Sequence, residues 1–567
     1  MPVSKRRASC ASDFSPSPPP PRSKKTKPAS AIADFSAILT GDTEDDVALL
    51  PARTHAILYH KPLLLSRPQD VASLLAWFER VSDSRAMPWR APFLDPAHHD
   101  PDKLKEAQKK RAYQVWISEI MLQQTRVETV KSYWLAWMAK WPSIHMLAAA
   151  PEEEVLAAWR GLGYYSRATR IHTAAKQVVA DPELQGSLPQ TPPELEKVPG
   201  IGAYTAGAIS SIVFGQAVPI LDGNVARVLS RQLGLYANPK AKATTDVLWE
   251  AARVVVEKAQ EVKQGGATPG QWNQALMELG STLCTPLKPA CNECPIRASC
   301  RAHAEATLPA SKGGVEDMED LCKLCEPFPN DIKPEPAAKS EPKSKSGKKM
   351  RQATLSFGTF PSTEAKETAR GSGDEALHAH VCKFPMKLSK KTIRTESCLV
   401  CIIRRPAGEY LLEQRPASGL LASMWQFPSL TLSTTEAGST PAPPTPPTLA
   451  QIDDFAASLL GSKAAAQAHQ RIGTIEHVFS HLHLTMHVYC LGLAKDVDLP
   501  AAKRKKEEGK ARNFGSSLGD TATRRWADAA AVEAETMGTG MRNCWIAYQQ
   551  QATTPAQAKT KPDKRKA

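Results

Sequence analysis

The chain of 567 residues predicts a multidomain protein: an all-α domain, then a second domain mixing strands and helices (α+β), with irregular tails and an irregular linker. Three observations carry this. From about Pro68 to Ala304 apolar residues recur at three- and four-residue intervals, as in Tyr113–Trp141, the period of a helix face. From Ser397 the period changes: Cys398–Ile403 is a short apolar run, Pro406-Ala407-Gly408 marks a turn, and Tyr410–Gln414 reads as a second strand. Between them, residues 306–394 are polar and rich in Lys and Pro, as linkers are. The expected boundaries are a disordered basic tail at 1–60, a helical domain at 61–304, a linker at 305–395, the second domain at 396–549 and a basic tail at 550–567. Inside the second domain, Ser433–Pro447 is a Pro/Thr-rich loop. No internal repeat is visible.

Hydrophobic residues make up 42% of the chain, enough for real cores, while 46 prolines fit long unfolded stretches. No apolar run approaches the ~20 residues of a membrane helix, so a soluble protein is expected. The net charge of +14 suits a polyanionic partner, but the tails carry most of it. Residues 1–28 hold seven Lys/Arg against one Asp, and residues 558–567 hold five against one. Such tails read as nuclear-import or weak phosphate-binding segments; the acid-poor N-terminus also suits a mitochondrial form. Expected localisation is the nucleus, and monomer is the default state.

The helical domain ends in a C-x6-C-x2-C-x5-C run, Cys284, Cys291, Cys294 and Cys300. Structural zinc usually takes two separated C-x2-C pairs, so unequal loops from one short segment favour a four-thiolate iron–sulfur cluster over a zinc knob. A disulfide framework does not suit an intracellular-looking chain without a secretory leader. Upstream, Leu195–Ile209 (LEKVPGIGAYTAGAI) has a Pro-Gly-x-Gly turn between a short helix and an Ala/Gly-rich one, a helix-hairpin-helix. Gly200 and Gly202 permit positive φ and let backbone N–H groups approach a DNA phosphate at the second helix's start. A bare turn of this kind is also a common ligand-free connection. Twenty residues past Gly202 comes Leu221-Asp-Gly-Asn-Val225, whose Asp222 could be no more than a helix N-cap.

Together with Met87-Pro-Trp-Arg90, Val115–Thr125 (VWISEIMLQQT) and Gly161–Arg167 (GLGYYSR), these motifs resemble the MutY-type adenine DNA glycosylases of the endonuclease III-like helix-hairpin-helix superfamily, in their eukaryotic form. The resemblance runs from about Leu74 to Cys300 and continues in the C-terminal domain. It implies a [4Fe–4S] cluster on the four cysteines, double-stranded DNA as partner, and hydrolytic removal of adenine mispaired with 8-oxoguanine or guanine in base-excision repair, which prevents G:C to T:A transversions. It implies Glu119 as proton donor and Asp222 as stabiliser of, or nucleophile towards, the cationic sugar. Tyr204 and Asn224 would support Asp222, Arg90 would line the adenine pocket, and Gln124 and Tyr164 would insert beside the lesion. Arg167 reads as a phosphate contact or a packing residue. Bifunctional relatives carry a lysine where Tyr204 stands; without an amine no Schiff base forms, so base excision without strand cleavage is expected.

Residues 397–549 resemble a Nudix-like fold, most closely in Leu411–Pro428. The acidic metal-binding helix of hydrolytic Nudix domains is missing, since Asp453 and Asp454 lack its spacing, so pyrophosphatase chemistry is not expected. By resemblance Phe479-Ser480-His481 reads the 8-oxoguanine strand. In the linker, Cys322 and Cys325 form a lone C-x2-C resembling a linker zinc site of mammalian relatives, with Cys382 and His378 or His380 as candidates to complete it. Gln352, Leu355, Phe357 and Phe360 resemble a sliding-clamp motif in imperfect register. Two other functions stay open: a bifunctional glycosylase/lyase acting on oxidised pyrimidines, and a non-catalytic DNA-binding clamp adaptor.

Overall fold

The computed structural model describes Phe35 and residues 55–262, 268–307, 322–328, 368–388, 393–416, 421–422, 424–435, 445–460, 466–479, 482–499 and 523–553. Its helices, in chain order, are α1 (Pro68–Ser82), α2 (Pro101–Leu122), α3 (Val127–Lys140), α4 (Ile144–Ala149), α5 (Glu152–Ala158), α6 (Ser166–Ala180), α7 (Pro192–Leu195), α8 (Ala203–Phe214), α9 (Gly223–Gln232), α10 (Lys242–Glu261), α11 (Pro269–Thr282), α12 (Arg301–Thr307), α13 (Thr368–Val381), α14 (Leu449–Leu460), α15 (Ala529–Ala534) and α16 (Thr539–Thr553).

The sequence writes several of these helix starts directly. Pro68, Pro101 and Pro269 occupy first-turn positions, where a missing N–H costs nothing. Asp100 caps α2, and Thr268 with Gln271 forms a reciprocal capping box on α11. The helices bury two apolar clusters. One gathers Trp116, Ile117 and Ile120 of α2 with Trp137, Trp159 and Ile171. The other gathers Leu74 of α1, Val225 and Leu229 of α9, Val255 of α10 and Trp272 of α11. Fully buried Trp116, Trp137, Trp159 and Trp272 remove large apolar areas from water and dominate these cores. Ile212 of α8 packs against both clusters, and the main cavity opens along the seam between them.

The Tyr113–Trp141 stretch is broken at Gln123–Arg126, where Gln124 takes a left-handed backbone (φ 57°). Residues 101–111 supply the first turns of α2.

In the second domain, β1 (Arg394–Arg404), β2 (Tyr410–Gln414), β3 (Trp425–Gln426), β4 (Ser429–Thr435), β5 (Ala466–Val478), β6 (Leu482–Leu493) and β7 (Arg524–Ala527) form one mixed sheet. β1 runs parallel to β6 from Arg394↔Leu482 to Arg404↔Gly492; the other pairs are antiparallel. Successive strand residues face opposite sides. Cys398, Val400 and Ile402 therefore share a core with Trp545 of α16, whereas Leu399, Cys401 and Ile403 pack on Phe455 of α14. The sheet is a two-faced core with a helix on each side, and the expected loop at 433–447 begins later than predicted, because Ser433–Thr435 complete β4.

The two domains touch. Met424 buries in the first helical cluster and Leu421 packs beside it. Arg160 donates to the Glu533 carbonyl (3.3 Å) and the Ala534 carbonyl at the end of α15.

Two expectations of irregular structure are corrected. Within the predicted tail, Phe35 joins the second helical cluster, and Ile57–His60 form a 3-10 turn with Tyr59 and His60 buried. Within the predicted linker, Phe328, Leu377 of α13, Val381 and Phe384 pack with Tyr236 and Ala302. Polar composition concealed a few apolar anchors, through which the described parts of these segments pack on the helical domain.

Candidate active site

The seam between the helical clusters holds a cavity of about 930 Å³, large enough for a nucleoside. It is lined by Arg90, Glu119, Gln124, Tyr204, Asp222 and Asn224, so six side chains predicted as site residues converge there from four segments of chain. No lysine is among the residues that line it.

Glu119 sits in the last turns of α2, between Ile117 and Ile120, both buried in the first cluster. It is itself buried, and burial pushes its carboxyl up to about 7; the charge of Asp222 adds to this, while the Tyr204 hydrogen bond and Arg90 oppose it. Tyr204, on the first turn of α8, donates its hydroxyl to Glu119 Oε2 at 2.7 Å. The motif-based expectation paired Tyr204 with Asp222; its hydrogen bond goes to the other carboxylate. Burial raises the phenol well above its ordinary value, so it stays a donor.

This arrangement makes a prediction. A hydrogen bond to a charged acceptor is worth ~1.5–3 kcal/mol, and ~1.4 kcal/mol moves a pKa by about one unit. Tyr204→Phe removes a donor that favours ionised Glu119, so the basic limb of single-turnover excision against pH should move up by about 1 to 2 pH units. A limb that stays put or moves down rejects the pairing.

Asp222 is the N-cap of α9: Oδ1 accepts from the Asn224 N–H (2.9 Å) and the Val225 N–H (2.7 Å), and Oδ2 from Asn224 Nδ2 (2.8 Å). A helix cap and a catalytic carboxylate are here the same atoms, because the two N–H bonds of the helix start fix the direction in which the carboxylate points. Asn224 is held in turn by Arg227, whose Nη2 donates to Asn224 Oδ1 (2.9 Å) and the Gly280 carbonyl (2.6 Å) and whose Nε donates to the Cys284 carbonyl (2.9 Å). A Cβ on Gly280 would fall 2.8 Å from Asn224 Cβ, so α11 can approach the Asp222 turn this closely only with glycine there.

Arg90 projects into the cavity with its guanidinium fixed by Glu278 (2.6 Å), which also binds Arg85 (2.8 Å). Glu278 is a site residue that no sequence motif marked. It is a buried acid in the mostly buried stretch Trp272–Leu279 of α11, where a charge is costly unless paired.

Gly200 has φ +83° in the hairpin turn, whereas Gly202 is an extended N-cap of α8 (φ −104°). Tyr164 is exposed, with φ 47°, on the loop before α6. Arg167 is buried against backbone carbonyls, not presented to a phosphate. Phe479 lies at the end of β5 with its ring 4.4 Å from that of His477 and its N–H donating to the Leu482 carbonyl (2.7 Å). Ser480 and His481 lie outside the described residues, as do Gln352, Leu355, Phe357 and Phe360.

Two further donor sets are present among the described residues. Cys284, Cys291, Cys294 and Cys300 line one small pocket, none in a disulfide. Burial pushes Cys291 up to about 11 and Cys294 up to about 12, so these thiols ionise only against positive charge; Arg231 Nη1 stands 3.1 Å from Cys284 Sγ. Cys322 and Cys325 meet His55 and His60, with the four ligating atoms all within 4.8 Å of one another. His60 Nδ1 lies 2.8 Å from the Leu233 carbonyl, and its Nε2 faces the set, 3.0 Å from His55 Nε2 and 3.4 Å from both sulfurs. The partners expected from sequence are elsewhere: His380 pairs with Glu305 (2.8 Å) and Cys382 Sγ contacts the Leu287 carbonyl (3.4 Å). Histidines more than 260 residues upstream gave no local spacing signal.

Residues 117–253 match the model of the HhH-GPD superfamily base excision DNA repair proteins, and residues 399–547 match the NUDIX domain. The chain is 37% identical over 436 residues to the adenine DNA glycosylase of Homo sapiens, covering 74% of this chain and 66% of that one. It is 37% identical over 429 residues to that of Rattus norvegicus (74% and 70%) and 30% over 456 residues to that of Schizosaccharomyces pombe (78% and 86%).

Proposed function

Because the chain belongs to the adenine DNA glycosylase family of base-excision repair, we propose that it extrudes adenine paired with 8-oxoguanine or guanine and hydrolyses its glycosidic bond without cutting the strand. The observation that carries this is the protonatable Glu119 sharing one cavity with the capped Asp222.

The adenine must first leave the stack, at a cost of a few kcal/mol. Glu119 then gives its proton to a ring nitrogen, and the electron pair of the C1′–N9 bond departs with the neutral base. The sugar becomes cationic beside Asp222, whose charge the α9 start holds in place. Water adds at C1′, and its proton restores Glu119. The lyase alternative needs an amine, and the cavity lining contains no lysine. An adaptor without chemistry has no use for a buried acid set against a second carboxylate. Gln124 and Tyr164 fill the vacated space beside the lesion, and Phe479 with Ser480 and His481 reads the opposite strand.

The test is a duplex with adenine opposite 8-oxoguanine. Free adenine with strand breaks only after alkali supports the proposal; breaks without alkali, or binding without product, reject it.

The donor sets fit two metal groups. Cys284, Cys291, Cys294 and Cys300 would hold a [4Fe–4S] cluster, whose role is structural because the hydrolysis needs no electron transfer; it would pin the loop that receives Arg227 and Arg231. His55, His60, Cys322 and Cys325 would hold zinc, a two-sulfur, two-nitrogen set suited to tetrahedral coordination. Chain purified without added metal should contain about one zinc, and Cys322→Ser should lose it with iron content unchanged and the apparent melting temperature several degrees lower. Equal zinc in wild type and variant overturns this assignment. The clamp contact through Gln352–Phe360 and the nuclear destination are proposed from the sequence alone.

A further inference from the structure

Gln124, which lines the cavity, and Tyr164, on the loop before α6, both hold left-handed backbones (φ 57° and 47°). Each such residue costs free energy and persists only where its surroundings hold it there. The surroundings are shared. Arg167, at the start of α6, is buried between the two loops with its guanidinium facing a ring of acceptors. Nη1 donates to the carbonyls of Ile120 (2.7 Å), Met121 (3.1 Å) and Gln123 (2.6 Å). Nη2 donates to Thr125 Oγ1 (3.3 Å) and to the carbonyls of Leu162 (3.0 Å) and Gly163 (3.1 Å). Its plane also lies 5.2 Å from the Trp159 ring centroid and 5.7 Å from that of Tyr164.

The chemistry of this set is specific. In the last turn of α2 the Ile120 carbonyl also accepts the Gln123 N–H (3.3 Å), and one guanidinium serves the Ile120 and Met121 carbonyls together with the Gln123 carbonyl before Gln124, the Thr125 hydroxyl after it and the backbone immediately before Tyr164. Lysine could not replace it, having a point charge and three donors in place of a planar fork. Ile120, one of the acceptors, is also the residue after Glu119.

We propose that Arg167 is a positioning residue that locks the Gln124 and Tyr164 loops to one another, and so sets the spacing at which the two side chains enter the opened base stack. This rests on the reading of Gln124 and Tyr164 as the inserting residues. Arg167 itself touches no DNA in this scheme.

The test is a thermodynamic cycle on the full chain. Affinity is measured for duplexes whose adenosine carries a 2′-fluoro sugar that resists cleavage, placed opposite 8-oxoguanine or guanine, in wild type, Arg167→Lys, Gln124→Ala/Tyr164→Ala and the triple variant. Arg167→Lys should lower the preference for the 8-oxoguanine duplex about tenfold, and that loss should vanish in the triple variant, because the two side chains it positions are already gone. If the loss persists undiminished in the triple variant, or both duplexes weaken equally, Arg167 is a packing residue and the proposal is overturned. If Gln124→Ala/Tyr164→Ala alone keeps the wild-type preference, the insertion reading fails instead. Should Arg167→Lys not fold, Thr125→Val removes the Nη2–Oγ1 contact along with the local Thr125 Oγ1–Gln123 carbonyl bond (3.3 Å) and leaves the other Arg167 contacts in place; a smaller loss of preference in the same direction, absent when Gln124→Ala/Tyr164→Ala is also present, supports the proposal, and an unchanged preference rejects it.

Discussion

Glu119→Gln is expected to slow adenine release in single-turnover assays by at least ~10²–10⁴-fold, the usual contribution of a positioned general acid. Duplex binding should stay within a few-fold of wild type. The reason is isosterism: the glutamine carbonyl still accepts from the Tyr204 hydroxyl at the place of Oε2 but brings no transferable proton. The same residue dictates the pH profile. Burial holds Glu119 near 7, and only its protonated form can act, so excision by wild type should fall as pH rises through about 7. Stability follows the same sign. The folded carboxyl titrates above its unfolded value of 4.5, so its contribution is fully present below 4.5 and is lost as pH rises towards 7. Glu119→Gln should therefore be more stable than wild type at pH 8 and show less decline between pH 4.5 and 7. Wild-type turnover in the variant would remove Glu119 from its role.

Asp222→Asn should cost ~10²–10³-fold in excision, the scale of removing one preorganised charge that faces the transition state. Asparagine caps helices about as well as aspartate, so α9 should keep its start through acceptance from the Asn224 and Val225 N–H groups. Asp222→Ala removes both roles and should add an unfolding penalty of about 1 kcal/mol in denaturant titration. Equal stability loss in both variants with little loss of excision would leave Asp222 as a cap alone.

Much of the site is legible in the chain itself because short contiguous motifs spell it out. Asp222 and Asn224 are two residues apart on one helix start, and the four cysteines fall within 17 residues. Glu119 is marked by the contiguous Val115–Thr125 motif and its family resemblance, since a lone acid on a helix would otherwise read as a solvated face. Glu278 is not so marked, because its partners Arg85 and Arg90 lie about 190 residues upstream and no period connects them. The direction of the Tyr204 hydrogen bond is likewise invisible in sequence: from α8 the hydroxyl could serve either carboxylate, and only the packing of α8 against α2 turns it to Glu119.

Local chemistry determined the rest of what sequence could supply: helix starts from Pro, Asp and Thr, the change from helical to strand period near Ser397, the glycine turn of the hairpin and the spacing of the cluster cysteines. Tertiary structure alone decided which distant groups meet. His55 and His60 join Cys322 and Cys325 across more than 260 residues, Phe35 and Phe384 bury in apolar clusters from stretches whose composition predicts irregular chain, and Arg167 gathers two loops about 40 residues apart. The physical reason is range. Capping and periodicity act within a turn or two of chain, whereas charge pairing and metal-ligand convergence depend on positions set only when the separate helices pack into one core.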